Sequence, residues 1–134
     1  LRTLPPPRRH AAAHYESIRD QLRIAAGGDL RALQHAPVRA GLDAAAQAAL
    51  LSLCAAYLVH LAPTPGGDPV ARFHLDNGAR LERLNAGADL SAKGLKQSFG
   101  VMVNYLYDLE QIEAGHEKFV NAEVARSRAV NAVM

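Results

Sequence analysis

The sequence predicts an α+β fold, mostly helical, with about two to three strands. Three observations carry this. A charge-free alanine-leucine run at 44–62 is flanked on both sides by helical patterns. Only two segments, 80–85 and 101–107, have strand composition. Capping residues and glycine stops punctuate the chain at helix spacing.

The elements follow in order. LRTLPPPRRH at 1–10 reads as extended chain, because proline fixes φ, removes an amide donor and disfavours the helical region before it. Residues 8–26 form a helix with Ile18, Leu22 and Ala25 on one stripe, and Gly27-Gly28 ends it. A short helix runs from Asp29 to about His35, before Pro37. Asp43 caps the alanine-leucine helix. That helix approaches the roughly 20 residues that span a bilayer, yet its alanines, Gln47, Ser52 and His60 favour the buried core helix of a non-membrane domain. Pro63-Thr64-Pro65-Gly66-Gly67 is a loop.

Next comes DPVARFHLDNGA at 68–79. Asp68 caps, Pro69 suits the first helical position and Gly78 suits the stop. Val70, Phe73, His74 and Asn77 share one face, expected to be buried, while Arg72 and Asp76 are spaced to pair. Residues 80–85 form a short strand, and Ser91 caps a helix through about Ser98. Residues 101–107 form the strongest strand. Val101, Val103, Tyr105 and Tyr107 alternate with Met102, Asn104 and Leu106, so both faces are apolar, as in a central strand of a larger sheet. The tail from Asp108 is helical, with a break at Gly115.

The 134 residues suffice for one domain with a core. A net charge of +2 without a basic stripe argues against nucleic acid. One cysteine excludes an internal disulfide and a thiolate-rich zinc site. The chain starts at Leu1 and shows no signal-peptide pattern, and is expected to be a piece of something longer.

His74 is the most informative residue. It is either a hydrogen-bonded core histidine or an acid or base shielded from water. His10 and His14 have metal-compatible spacing, but no HExxH or carboxylate pattern accompanies them, so no metal site is expected. Cys54 reads as a small buried hydrophobe, and Tyr105 and Tyr107 as core residues whose hydroxyls need partners. The Gly27-Gly28 and Gly66-Gly67 pairs match no phosphate-cradling loop.

These residues resemble a family. DPVARFHLDNGA is similar to the PVAxFHLxNGA signature of malonyl-CoA decarboxylases. LERLNAGADLS at 81–91 resembles LxRINWxADxS, Lys93-Gly94-Leu95 and Gln97-Ser98 follow, and GVMVNYLY at 100–107 resembles GLMVNYLY. LSLCAAYL at 51–58 matches the apolar helix before the signature. The resemblance implies that residues 1–134 are one segment, the C-terminal portion of a GNAT-like (acetyltransferase-like) catalytic domain. The helical domain and CoA-pyrophosphate loop that precede it in the family are absent from this sequence. It implies conversion of malonyl-CoA to acetyl-CoA and carbon dioxide with no cofactor, metal or prosthetic group. His74 falls on the catalytic histidine that protonates the enolate. Asn77, Tyr105 and Tyr107 are assigned to the substrate pocket from their neighbourhood.

The resemblance also bears on LRTLPPPRRH. The family segment TLSPIPGF carries a catalytic serine, and Pro5 stands in its place. Thr3, two residues earlier, would face the same side of a strand. The tryptophan of INW is Ala86 here. Three readings follow: a decarboxylase using His74; a degenerate member that binds acyl-CoA or a partner without decarboxylating; or a structural helical unit with His74 in its core. Homo-oligomers through regions outside this segment and a cytoplasmic location complete the expectations, the latter from a composition that looks bacterial.

Overall fold

The computed structural model describes residues 9–134, and side chains from Tyr15 onward. Thr3, Pro5 and the His14 side chain therefore lie outside the described residues. The order is α1 (Arg9–Ala25), a 3₁₀ turn (Leu30–Gln34), α2 (Ala36–Ala40), α3 (Ala44–Leu61), α4 (Pro69–Asp76), β1 (Arg80–Asn85), α5 (Ala92–Ser98), β2 (Met102–Leu106), α6 (Ile112–Val120) and α7 (Arg128–Val133). The fold is α+β and mostly helical, as expected.

The core forms around α3. Ten of its residues are buried, including Leu50, Leu53, Cys54, Ala55 and Leu58. α1 packs along it, and α7 and β1 close on it. Its alanines permit close approach, and its length and composition would also suit a bilayer span. Asp43 caps it by accepting the Ala46 amide at 2.8 Å. Burial pushes the Cys54 thiol up to about 12, which keeps it a neutral packing group.

The buried side of α1 carries Tyr15, Ile18 and Leu22, with buried Ala26 just past its end, and Ala25 faces solvent. The helix expected to stop before Pro37 is instead a 3₁₀ turn capped by Asp29, followed by α2 with proline in its first turn. A prolyl residue fits there because its missing N–H has no intrahelical partner at that point.

β1 and β2 pair antiparallel, Arg80 opposite Leu106 and Asn85 opposite Met102, with an irregularity between Leu81 and Arg83. β1 has a second neighbour. The Leu81 amide donates to the Ala125 carbonyl at 2.9 Å, and the Ser127 amide donates to the Leu81 carbonyl at 2.9 Å. β1 is thus the middle of this layer. Among the described residues β2 pairs only with β1, and its Met102 and Leu106 are exposed. Alternation alone cannot tell a strand covered on both faces from one whose apolar face is open.

Gly115 does not break the tail. It lies inside α6, buried against Gly78, where a Cβ would sit 2.4 Å from the Gly78 carbonyl oxygen. A helix interior tolerates glycine when a neighbouring backbone needs the space. Gly78 itself has φ +92, and its own Cβ position would fall 2.3 Å from the Ile112 carbonyl oxygen. The two glycines let α4's end and α6 touch backbone to backbone.

Candidate functional site

The site is built on α4 and the end of β2. Asp68 starts α4 by accepting the Ala71 amide at 2.9 Å, and Pro69 follows it. Ala71 and Leu75 are fully buried and fix the helix on the core. Arg72 staples it to the preceding loop, with Nη1 donating to the Ala62 carbonyl at 2.8 Å and also to the Thr64 carbonyl. Its guanidinium carbon lies 5.7 Å from the Phe119 ring centre. The expected Arg72–Asp76 pair therefore does not form. Two loop carbonyls take the guanidinium, and Asp76 faces His116, whose Nδ1 lies 3.2 Å from Asp76 Oδ1.

The face holding Val70, Phe73, His74 and Asn77 is not the buried one. Phe73 is 63 % exposed and Val70 58 % exposed. The physical reason is size and reach. Small Ala71 and Leu75 bring the helix backbone close to the core, which turns the opposite side outward. His74 is partly buried because β2 comes up beside it.

Tyr105 lies nearly parallel to the His74 ring, with centres 4.4 Å apart and planes at 24°. Tyr107 Oη lies 2.6 Å from His74 Nδ1. Phe73 packs edge-on to the imidazole at 5.3 Å. One ring nitrogen is thus engaged, one ring face is covered, and Nε2 has no hydrogen-bond partner among the described residues. Burial pushes the Tyr105 hydroxyl well above the usual tyrosine range, with the Asp68 charge adding to the effect. Tyr105 is therefore a neutral platform.

Arg39 positions β2 from behind. It is buried, and Nε donates to the Phe99 carbonyl at 2.8 Å. Phe99 adopts φ 53 at the end of α5, in the left-handed turn that launches β2. Asp89 anchors the start of α5. The Ser91 hydroxyl donates to it at 2.6 Å and holds its carboxyl below the usual range.

His74, Tyr105 and Tyr107 thus come together. Asn77 lies on the same helix face, but its amide donates to the Phe73 carbonyl at 2.7 Å and caps α4. Sequence reasoning missed Phe73 as a wall of the site, Arg72 as the staple and the Gly78–Gly115 contact. Phe73 was legible as His74's neighbour. The staple and the glycine contact join residues far apart in the chain, and no local pattern marks them. Among the described residues no cluster of three or more His, Cys, Asp or Glu is arranged to hold a metal.

Comparison with known proteins adds the following. The family model "Malonyl-CoA decarboxylase C-terminal domain" matches residues 10–134. The mitochondrial malonyl-CoA decarboxylase of Mus musculus is 49 % identical over 71 residues, which is 52 % of this chain and 14 % of that protein. The enzyme of Anser anser anser is 43 % identical over 56 residues, 42 % of this chain and 11 % of that protein. Among solved structures, malonyl-CoA decarboxylase from Cupriavidus metallidurans superposes with a TM-score of 0.71 at 35 % identity, covering 88 % of this chain and 31 % of that one. The Agrobacterium vitis protein gives 0.70 at 41 % identity, covering 98 % and 34 %. The chain therefore spans about a third of these solved relatives and about a seventh or less of these curated ones.

Proposed function

The chain belongs to the malonyl-CoA decarboxylase family, and from that premise we propose that it contributes the proton-donating part of a site that converts malonyl-CoA to acetyl-CoA and carbon dioxide. The observation that carries this is the state of His74. Its Nδ1 is engaged by Tyr107, its ring is stacked on Tyr105 beside Phe73, and Nε2 has no hydrogen-bond partner among the described residues.

The chemistry suits that arrangement. The bond between Cα and the carboxylate carbon breaks, and its electron pair moves into the thioester enolate. Carbon dioxide leaves. His74 then delivers a proton to Cα, completing acetyl-CoA. A general acid held in place supplies about 10²–10⁴-fold in such a step. The thioester itself stabilises the enolate, so no resident cofactor or metal is needed in this scheme. Exposed Phe73 and Val70 offer an apolar wall beside the carboxylate, and a drier setting weakens the carboxylate's solvation. Within this reading, β1 and β2 are a corner of a GNAT-like sheet.

The test is acetyl-CoA formation from malonyl-CoA by the complete protein, beside His74→Ala. Activity lost in the variant, with its circular dichroism unchanged, supports the reading. Equal activity in both overturns it. Pro5 at the serine position favours one further reading, a degenerate member that binds acyl-CoA without decarboxylating. Malonyl-CoA bound by both proteins with no carbon dioxide released selects that reading.

A further inference from the structure

The pairing of His74 with Tyr107 says more than that a histidine is held in place. The separation of 2.6 Å between Nδ1 and Oη is short, in the range of a phenol donating to a basic nitrogen. A phenol carries one proton, and a neutral imidazole carries its proton on one nitrogen only. If the phenol donates, Nδ1 is the acceptor, and the ring proton sits on Nε2. Nε2 is the nitrogen with no hydrogen-bond partner among the described residues. Tyr107 is itself 42 % exposed, so protons can reach it from water.

Resting on the reading of His74 as the proton donor, we propose that Tyr107 is a positioning residue that fixes His74 in its Nε2–H form and relays a proton into Nδ1 as Nε2 gives its own away. The balance is complete. The Nε2–H bond breaks as a Cα–H bond forms on the enolate. The Tyr107 O–H bond breaks as an Nδ1–H bond forms. The imidazole stays neutral throughout and ends as its other tautomer, with the charge on the phenolate. The return of the proton from Nδ1 to the phenolate Oη, with Nε2 taking one from water and hydroxide released, restores the starting state. Net, one malonyl carboxylate and one water give acetyl-CoA, carbon dioxide and hydroxide.

Among the described residues, no other proton source reaches Nδ1. On α4, Asp68 acts on Tyr105 and starts the helix, Arg72 is turned to the Ala62 and Thr64 carbonyls, and Asp76 faces His116. From α6, His116 is taken up by Asp76 and its carbonyl. From β2, Tyr105 covers the ring face without a hydrogen bond to it.

A histidine that works in its neutral form behaves differently with pH from one that must be charged. With the relay, the rate of acetyl-CoA formation stays level as pH rises from about 6 to 9. In Tyr107→Phe the relay is gone, and only the imidazolium can give a proton. Its rate then falls about tenfold per pH unit once the imidazolium is the minor form, about 100-fold over two such units. The experiment measures both profiles in the complete protein, with His74→Gln beside them and ¹⁵N shifts of the His74 ring at neutral pH. The expected shifts place the proton on Nε2 in the parent protein. A flat profile in Tyr107→Phe with His74→Gln inactive overturns the relay alone, as does a proton found on Nδ1. An active His74→Gln, or a parent protein that forms no acetyl-CoA, overturns the donor reading and the relay with it.

Discussion

α3 and α4 are both rich in apolar side chains, and they put them to opposite uses. α3 carries no Asp, Glu, Lys or Arg, and buries ten residues around most of its circumference. α4 buries only Ala71 and Leu75, and turns Val70 and Phe73 outward beside His74. In α3 the hydrophobic effect has been used up within the fold. In α4 part of it remains, next to a titratable group. Under the proposed function, that apolar surface beside His74 dries the reaction centre, and a helix that only packs has no need of it.

The sharpest way to break this contrast is on activity. His74→Ala should lower acetyl-CoA formation about 10²–10⁴-fold in the complete protein, while the thermal midpoint barely moves. A large drop in midpoint with no change in rate would make His74 a packing residue. Next in size is Leu50→Ala. Leu50 is 1 % exposed, so the truncation should cost about 2–5 kcal/mol, read from denaturant unfolding. Phe73→Ala is its counterpart on α4 and should stay within about 0.5 kcal/mol. Equal costs would erase the distinction between the helices. Gly115→Ala tests what holds α4. The added methyl meets the Gly78 carbonyl, so about 1–3 kcal/mol is expected, with a lower kcat as α4 shifts. Smallest is the loss of the α4 cap. Asp68→Ala should cost about 1 kcal/mol.

Cys54 sharpens the contrast from the α3 side. Its thiol is raised from 9.0 to about 12, so the native protein favours the neutral form. The sign follows: that preference is fully present below the unfolded value and is lost as pH rises from about 9 toward about 12. Iodoacetamide at pH 8 should label Cys54 only as fast as the protein unfolds. Rapid labelling of the native protein would show that α3 is not the closed core helix described.

Much of this was legible in local sequence. Asp43, Asp68 and Ser91 cap where their spacing said they would, because an N-cap needs only a side-chain oxygen and an amide two or three residues on. The DPVARFHLDNGA stretch and the strand ending at Tyr107 marked His74 and the two tyrosines. The direction of α4's exposed face was not legible. A stripe of Val, Phe and His satisfies the pattern of a buried face, and only the depth of Ala71 and Leu75 in the core reveals which side is out. Gly115 was misread for a similar reason. A glycine looks like a stop until the backbone it accommodates, that of Gly78, is in view.

By itself the sequence determined the helical character, the caps and the core role of α3. These rest on interactions within a few residues, or on composition, and they hold whatever the tertiary arrangement. Tertiary structure alone decided that Tyr107 meets Nδ1, that Arg72 holds two loop carbonyls and not Asp76, and that β2 pairs only with β1 among the described residues. Each of these joins groups distant in the chain or chooses between equally plausible partners. That choice is made by the packing of the whole core, where short-range preference is silent.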